Sequence, residues 1–363
     1  MQKQTPAYGF LFLILLAGCG NTTTTSENGG TVTTDMLGRK VQIPEKTDRI
    51  IALNAGMLRL VCWLNATDKV CGVEYNERRR NVPYLYAHPE LRKKPVIGTG
   101  NTPEPELLLS LAPDVILSTY ISKAHADEIQ ARTGIPVLAI RYGNLDDETD
   151  TLFRTLEYLG KILNKSERAD FLVNYIQKNI QDIKNRTASI ADSLRPEVYV
   201  GGIAYRGSHG ITSTEPRYPP FRFLHADNVA GSLGTVMTSE RDVLINAFID
   251  KEQLIEWNPE FIFLDMSSTA YSGDELARPW TTVLSAAKKG NIFTVFPYNW
   301  YTINYSTILV NSWYTGKVLY PERFADTDPE KKAREIYKNI LGRDVYDDMV
   351  SQFGTCRKIS LVN

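Results

Sequence analysis

The stretch Pro105–Leu117, PELLLSLAPDVIL, is written a second time at Lys251–Phe263, KEQLIEWNPEFIF. At a constant offset of 146 residues, Glu106 matches Glu252, Leu108 matches Leu254 and Leu109 matches Ile255. Pro113 then matches Pro259, Asp114 matches Glu260 and Ile116 matches Ile262. Each copy reads as a short helix, a Pro-bearing turn and a buried strand of branched apolar residues. Units of this kind are common, so the weight falls on further matches in the same chain order. Arg49–Leu53 resembles Arg195–Val200, Asp68–Gly72 resembles Asp227–Gly231, and Ile135–Ile140 resembles Asn291–Phe296. Repetition on this scale predicts two α/β lobes of one design, placed in tandem.

A length of 363 residues allows two domains, each with its own core. Hydrophobic content of 43% and charged content of 23% are those of an ordinary globular chain. A formal net charge of -1 gives no whole-protein reason to expect nucleic acid as a partner. Near the N-terminus, Lys3 is followed by the apolar run Phe10–Leu16 and by Ala17-Gly18-Cys19. The run is too short for a membrane span and reads as the core of a signal peptide, residues 1–18. LAGC at Leu16–Cys19 resembles the bacterial lipobox, in which the cysteine is lipidated; acyl chains hold a protein at a bilayer by roughly 0.8 kcal/mol per buried methylene. The polar stretch 19–30, with four consecutive threonines, reads as a flexible tether. The expectation is an exported lipoprotein anchored through Cys19. Of the other cysteines, Cys62, Cys71 and Cys356, not all can pair; Cys62 and Cys71 lie in apolar segments and read as buried thiols, with a bridge between them left open.

Thr31–Pro44 alternates on both sides of Leu37-Gly38, as a hairpin does. Arg49–Leu53, Lys69–Val73, Val96–Gly98, the repeated unit and Val137–Ile140 supply strands of a first lobe, residues 31–165. Alternation of helices with unbroken apolar strands predicts a parallel sheet covered on both faces. Thr151–Leu163 has leucines along one helical face. After a break at Asn164-Lys165, Ser166 is placed as an N-cap of a second helix running to about Ile190. Some 25 residues would reach roughly 37 Å, enough to join two lobes, so residues 166–192 are read as an interlobe strut. The second lobe, residues 193–363, takes its strands from Val198–Val200, Phe261–Leu264 and Phe293–Phe296. Pro329–Phe353 is a mostly polar, helical covering layer.

The lipobox, the hairpin containing Gly38-Arg39, the two copies of the repeated unit and the single connecting helix together resemble one family over essentially the whole mature chain. They are similar to the class III periplasmic binding proteins of ABC importers, which carry ferric siderophores, haem and cobalamin. The resemblance implies two Rossmann-like lobes with parallel sheets, joined by a single long helix, with ligand held in the cleft and small hinge motion. It also implies one glutamate on each lobe that docks on arginines of the permease; by position in the repeated unit these are Glu106 and Glu252. Both fall in the first turn of a helix, where the helix dipole favours negative charge.

In parallel sheets ligands bind beyond the C-terminal ends of the strands. The loops at those ends are rich in Tyr, Trp and Arg, and the candidate ligand residues are Arg79, Tyr120, Tyr142, Tyr205, Arg206, His209, Tyr298, Trp300 and Tyr301. Flat rings pack against a large, partly apolar ligand, and arginines meet carboxylate, catecholate or phosphate groups. Tyr298–Tyr301 is the best candidate for an aromatic wall. Arg78–Arg80 is a dense positive loop. Tyr205–Thr214 lacks a dinucleotide pattern. The four histidines are scattered and do not suggest bare metal capture, GxSxG does not occur, and cluster enzymes of similar architecture need cysteine ligands that this chain lacks. The expected protein is therefore a receptor and not an enzyme. It has no intrinsic cofactor and takes an iron-siderophore, haem or corrinoid as ligand. Its expected partners are an ABC permease with its ATPase and a membrane through the lipid, with the protein itself a monomer.

Overall fold

The computed structural model describes residues 30–99, 102–205, 207–234, 246–268 and 274–359, with the strand backbone at Thr25–Ser26, Val236–Met237 and Val243–Leu244. The N-terminal segment carrying Cys19 lies outside the described residues, as does Arg206.

The two copies of the repeated unit fold alike. Helices Pro105–Leu111 and Lys251–Trp257 each have 7 residues, and strands Val115–Thr119 and Phe261–Asp265 each have 5. Leu108 and Leu254 are fully buried. Each helix ends on a left-handed residue, Ala112 at φ 42° and Asn258 at φ 45°. The following proline disfavours continued right-handed helix at that position and cannot itself extend the helix. The next residue docks the turn on the first strand of its lobe: Asp114 N donates to Arg49 O at 2.7 Å, and Glu260 N to Glu197 O at 2.9 Å.

Both lobes contain a four-stranded, wholly parallel sheet with one strand order. In the first lobe Val70–Gly72, Ile50–Leu53, Val115–Thr119 and Val137–Ile140 lie side by side; in the second, Asp227–Asn228, Glu197–Gly201, Phe261–Asp265 and Ile292–Val295. The stretch Val96–Gly98 does not form a further strand of the sheet. Val96 makes one bridge to Val73, and Gly98–Thr99 turns back on Thr102–Pro103. The ladders also correct the sequence pairing of the last strands. Ile116 N donates to Pro136 O and Ile262 N to Asn291 O, so Pro136, not Ile135, is the counterpart of Asn291.

The hairpin Gly30–Thr34/Lys40–Pro44 is seated on the edge of the first sheet by its turn. Arg39 is buried and donates to Asp35 at 3.0 Å, to Asp127 at 2.8 Å and to Val137 O at 3.0 Å, while Asp35 also accepts from Ala139 N. Removing one partner of a buried ion pair leaves the other uncompensated. Arg39→Ala is expected to destabilise the protein by about 3 kcal/mol in urea unfolding, whereas Arg132→Ala, an exposed ion-pair residue nearby, should change little.

Helix Thr149–Ile162 leads into the long helix Ser166–Thr187. Ser166 is its first helical residue, Lys165 holds the cap position without a side-chain bond, and the helix ends three residues earlier than Ile190. Its 22 residues span roughly 33 Å. The helix is not the only joint. The C-terminal helices Pro329–Leu341 and Tyr346–Phe353 close over the back of the first lobe, with Arg168 donating to Asn339 O, His88 against Leu341 O and Tyr86 bonded to Gln352. One continuous core runs through both lobes, the long helix and this layer, taking in Leu60, Leu152, Ile176, Phe263, Leu309 and Ile336. The opposite face of each sheet has a smaller core of its own. Cys62, Cys71 and Cys356 are all free thiols.

Candidate functional site

The C-terminal ends of the two sheets meet. In the first lobe Asn54 follows the first strand in left-handed conformation, φ 69°, and its amide donates to Ser118 Oγ and Thr119 O. Gly56, φ 86°, lies flat against the ring of Tyr142, where a Cβ would sit 2.4 Å from a ring carbon, so no other residue fits. Helix Met57–Trp63 then carries Arg59 inward. Arg59 is 1% exposed; it donates to the Tyr142 hydroxyl and, across the seam, to Tyr301 O at 2.8 Å and to Ile303 O.

From the second lobe the segment Tyr298–Ile303 crosses the seam as a strap. Asn304, buried behind it, donates through one amide nitrogen to the carbonyls of Tyr298, Trp300 and Thr302. Tyr301 and Thr302 are both left-handed, at φ 51° and 57°. The Trp300 indole donates to Asn81 O at 3.2 Å, the Arg80 guanidinium lies over the Tyr301 ring, and Tyr305 donates to Gly143 O at 2.6 Å. Below the strap, Asp146 of the first lobe pairs with Arg217 at 2.6 Å and with Arg222 of the second. Behind the strap, Tyr298 donates to the buried Glu215, and burial pushes the Glu215 carboxyl up to about 8 and that of Asp265 to about 7.

The residues singled out from sequence fall into three groups. Tyr142 and Tyr298 are buried with their hydroxyls engaged, the former to Arg59 and Ile303 O, the latter to Glu215. Trp300 and Tyr301 are half-buried in the seam. Arg79, Tyr120, Tyr205 and His209 lie at its margins. Tyr120 is 59% exposed, with its ring 6.3 Å from that of Tyr142. Arg79 lies over the Tyr75 ring at 4.9 Å. Tyr205 and His209 flank Phe248, which is 55% exposed and packs edge-on against both. Phe248, Arg59 and Asn304 were not legible as site residues, and Arg80 was legible only as one member of the positive loop Arg78–Arg80. Phe248 sits in a pair of two-residue strands with Ser213–Thr214, and a single arginine in an apolar helix carries no motif.

Glu106 and Glu252 are both exposed, at the second position of their helices. Among the described residues no group of three His, Cys, Asp or Glu could hold a metal ion, and no helix is long and apolar enough to cross a membrane. A seam lined by arginines, aromatic rings and backbone carbonyls is suited to holding a ligand by charge and shape.

Two parallel-sheet lobes joined by one long helix, with their strand ends meeting at an aromatic and cationic seam, define the fold of the class III solute-binding proteins of ABC importers. The chain belongs to the periplasmic binding protein family, whose model matches residues 50–298. It is 25% identical over 329 residues to the molybdate-binding protein MolA of Haemophilus influenzae, covering 85% of this chain and 90% of that one. The structure of MolA bound to molybdate superposes with a TM-score of 0.66 at 23% identity, covering 86% of this chain and 98% of MolA. A periplasmic solute-binding protein from Veillonella parvula gives 0.68 at 18% identity, covering 89% and 96%. The uncharacterized ABC transporter substrate-binding lipoprotein YvrC of Bacillus subtilis is 25% identical over 213 residues, 55% of this chain and 64% of that protein. The chain is thus a solute-binding protein of an ABC importer, a class exported to the periplasm that works with a permease and its ATPase.

Proposed function

We propose that this receptor is lipid-anchored through Cys19 and captures an iron chelate, a ferric siderophore or haem, between its lobes. It acts as a monomer and not as an enzyme, and hands the chelate to the permease by docking through Glu106 and Glu252. A corrinoid is the nearest alternative ligand. The observation that carries the reading is the meeting of Arg80, Tyr120, Trp300 and Tyr301 around one seam, where charge and flat aromatic surface serve a ligand that is both anionic and partly apolar. The similarity to a lipoprotein supports the anchor. A second reading, a small metal oxyanion, is favoured by the MolA similarity and by the buried Arg59.

Protein purified from its native host decides between them by absorbance, since ferric siderophores, haem and corrinoids have distinct visible spectra and molybdate has none. A bound ligand at a hundredfold excess over its Kd should also stabilise the protein by about 2.7 kcal/mol, read as a rise in Tm. A colourless protein stabilised by molybdate and by no iron chelate would sink the first reading. Cys19→Ala should release the protein from the membrane fraction if the anchor is lipid.

A further inference from the structure

The arginines of the seam have donors left over. Arg59 is fully buried, yet its acceptors are a tyrosine hydroxyl and two backbone carbonyls, all neutral, and its Nε has no partner. Arg80 Nη1 is likewise buried without an acceptor while the guanidinium covers the Tyr301 ring. Two glutamates share this region and lend Arg80 opposite charge, Glu77 reaching Arg59 as well, but their hydrogen bonds go elsewhere: Glu74 accepts from Asn54 N at 2.8 Å and Glu77 from the Tyr84 hydroxyl at 2.5 Å. A buried guanidinium whose only acceptors are neutral is an unfinished arrangement, because arginine's fork of donors matches an oxyanion far better than scattered carbonyls. The strap that supplies those carbonyls is itself held in an unfavourable form. Two consecutive non-glycine residues, Tyr301 and the β-branched Thr302, are left-handed, a state that persists only where surroundings enforce it and that clusters at ligand clamps.

We infer that Arg59 and Arg80 form an anion subsite that the strap occupies in this structure, the carbonyls of Tyr301 and Ile303 standing in for ligand oxygens. An incoming oxyanion, whether free or the carboxylate or catecholate edge of a chelate, takes both arginines and displaces the strap, which relaxes Tyr301 and Thr302. The inference rests on the receptor reading and names the chemistry recognised at its seam.

The test uses the full chain with two probes, sodium molybdate as a free oxyanion and ferric citrate as a chelate bearing carboxylates. Affinity is read by calorimetry, and strap movement by Trp300 fluorescence, with Trp300→Phe as blank. At least one probe should bind wild-type protein and change the Trp300 signal. Arg59→Gln and Arg80→Gln should each weaken that probe at least tenfold; Arg80, only half-buried, serves where the Arg59 variant fails to fold. Thr302→Gly removes the strain from the strap-in state and should weaken binding severalfold with the arginines untouched, an effect a merely structural role for the arginines would not produce. Unchanged affinity in Arg80→Gln, or no response of the wild type to either probe, overturns the subsite. If molybdate binds through the arginines and ferric citrate does not, the subsite stands and the small-oxyanion reading is favoured over the iron chelate. If a coloured chelate co-purifies and binds Arg80→Gln as tightly as wild type, the receptor reading stands and the subsite falls.

Discussion

Reversing charge at Glu106 and Glu252 together, to lysine, is expected to abolish uptake in cells while leaving ligand affinity in vitro within about twofold of wild type. The two carboxylates sit at matched places in a duplicated unit, each exposed in the first turn of a short helix. That helix is pinned by one buried leucine, Leu108 or Leu254, so the side chain presented outward has a fixed base. One turn on, Leu109 and Ile255 lie beside the carboxylates, the former 51% exposed, which puts an apolar contact next to each charge. Neither glutamate touches the seam, and exposed substitutions of this kind usually change stability by no more than about 0.5 kcal/mol. Placing a lysine against a permease arginine, by contrast, turns a desolvated attraction into a repulsion, and such pairs are worth several kcal/mol. A loss of more than about 3 kcal/mol in docking is over a hundredfold in receptor occupancy of the permease. Single reversals should give intermediate uptake. If the double variant instead loses ligand affinity with its fold intact, the docking role is wrong.

The duplication was legible because each unit carries its own punctuation. A proline after the helix forces the turn, and an unbroken apolar strand follows, so Pro105–Leu117 and Lys251–Phe263 announce the same local structure. Register was less legible: the last strands align one residue away from the sequence match, because runs such as VLAI and IFTV look equally apolar at either offset and only the ladder bonds decide. Helix Tyr305–Leu319 escaped notice altogether. It is buried on nearly every side, so it lacks the polar face that periodicity detects. The same logic divides the site. Aromatic loops at strand ends could be read from composition, whereas burial of Tyr142 and Tyr298 could not, since it depends on partners 83 positions away in both cases, Arg59 and Glu215. The contacts that close the seam, Arg59 to the strap and Asp146 to Arg217, join lobes that sequence treats as separate.

Glu215→Gln should make the protein more stable at pH 8 and leave it nearly unchanged at pH 4. Glu215 and Asp265 are both buried in the second lobe, and burial raises both carboxyls, to about 8 and about 7, with the charge of Asp265 making Glu215 harder still to ionise. A raised carboxyl contributes its stability in the protonated form. That contribution is complete below the unfolded range near pH 4, declines as pH rises, and is gone once the folded value near 8 is passed. The wild type should therefore lose stability steadily between pH 5 and 8, by up to about 1.4 kcal/mol per pH unit for each group titrating alone. Glutamine keeps an oxygen for the Tyr298 hydroxyl, so the bond that steadies the rear of the strap survives while the titration disappears. The gain at pH 8 is on the order of 4 kcal/mol as an upper bound, the remaining slope belonging to Asp265. Urea unfolding at pH 4, 6 and 8 reads it directly. Parallel curves for wild type and variant would show that Glu215 ionises freely in the folded protein and that the interior behind the strap is wet.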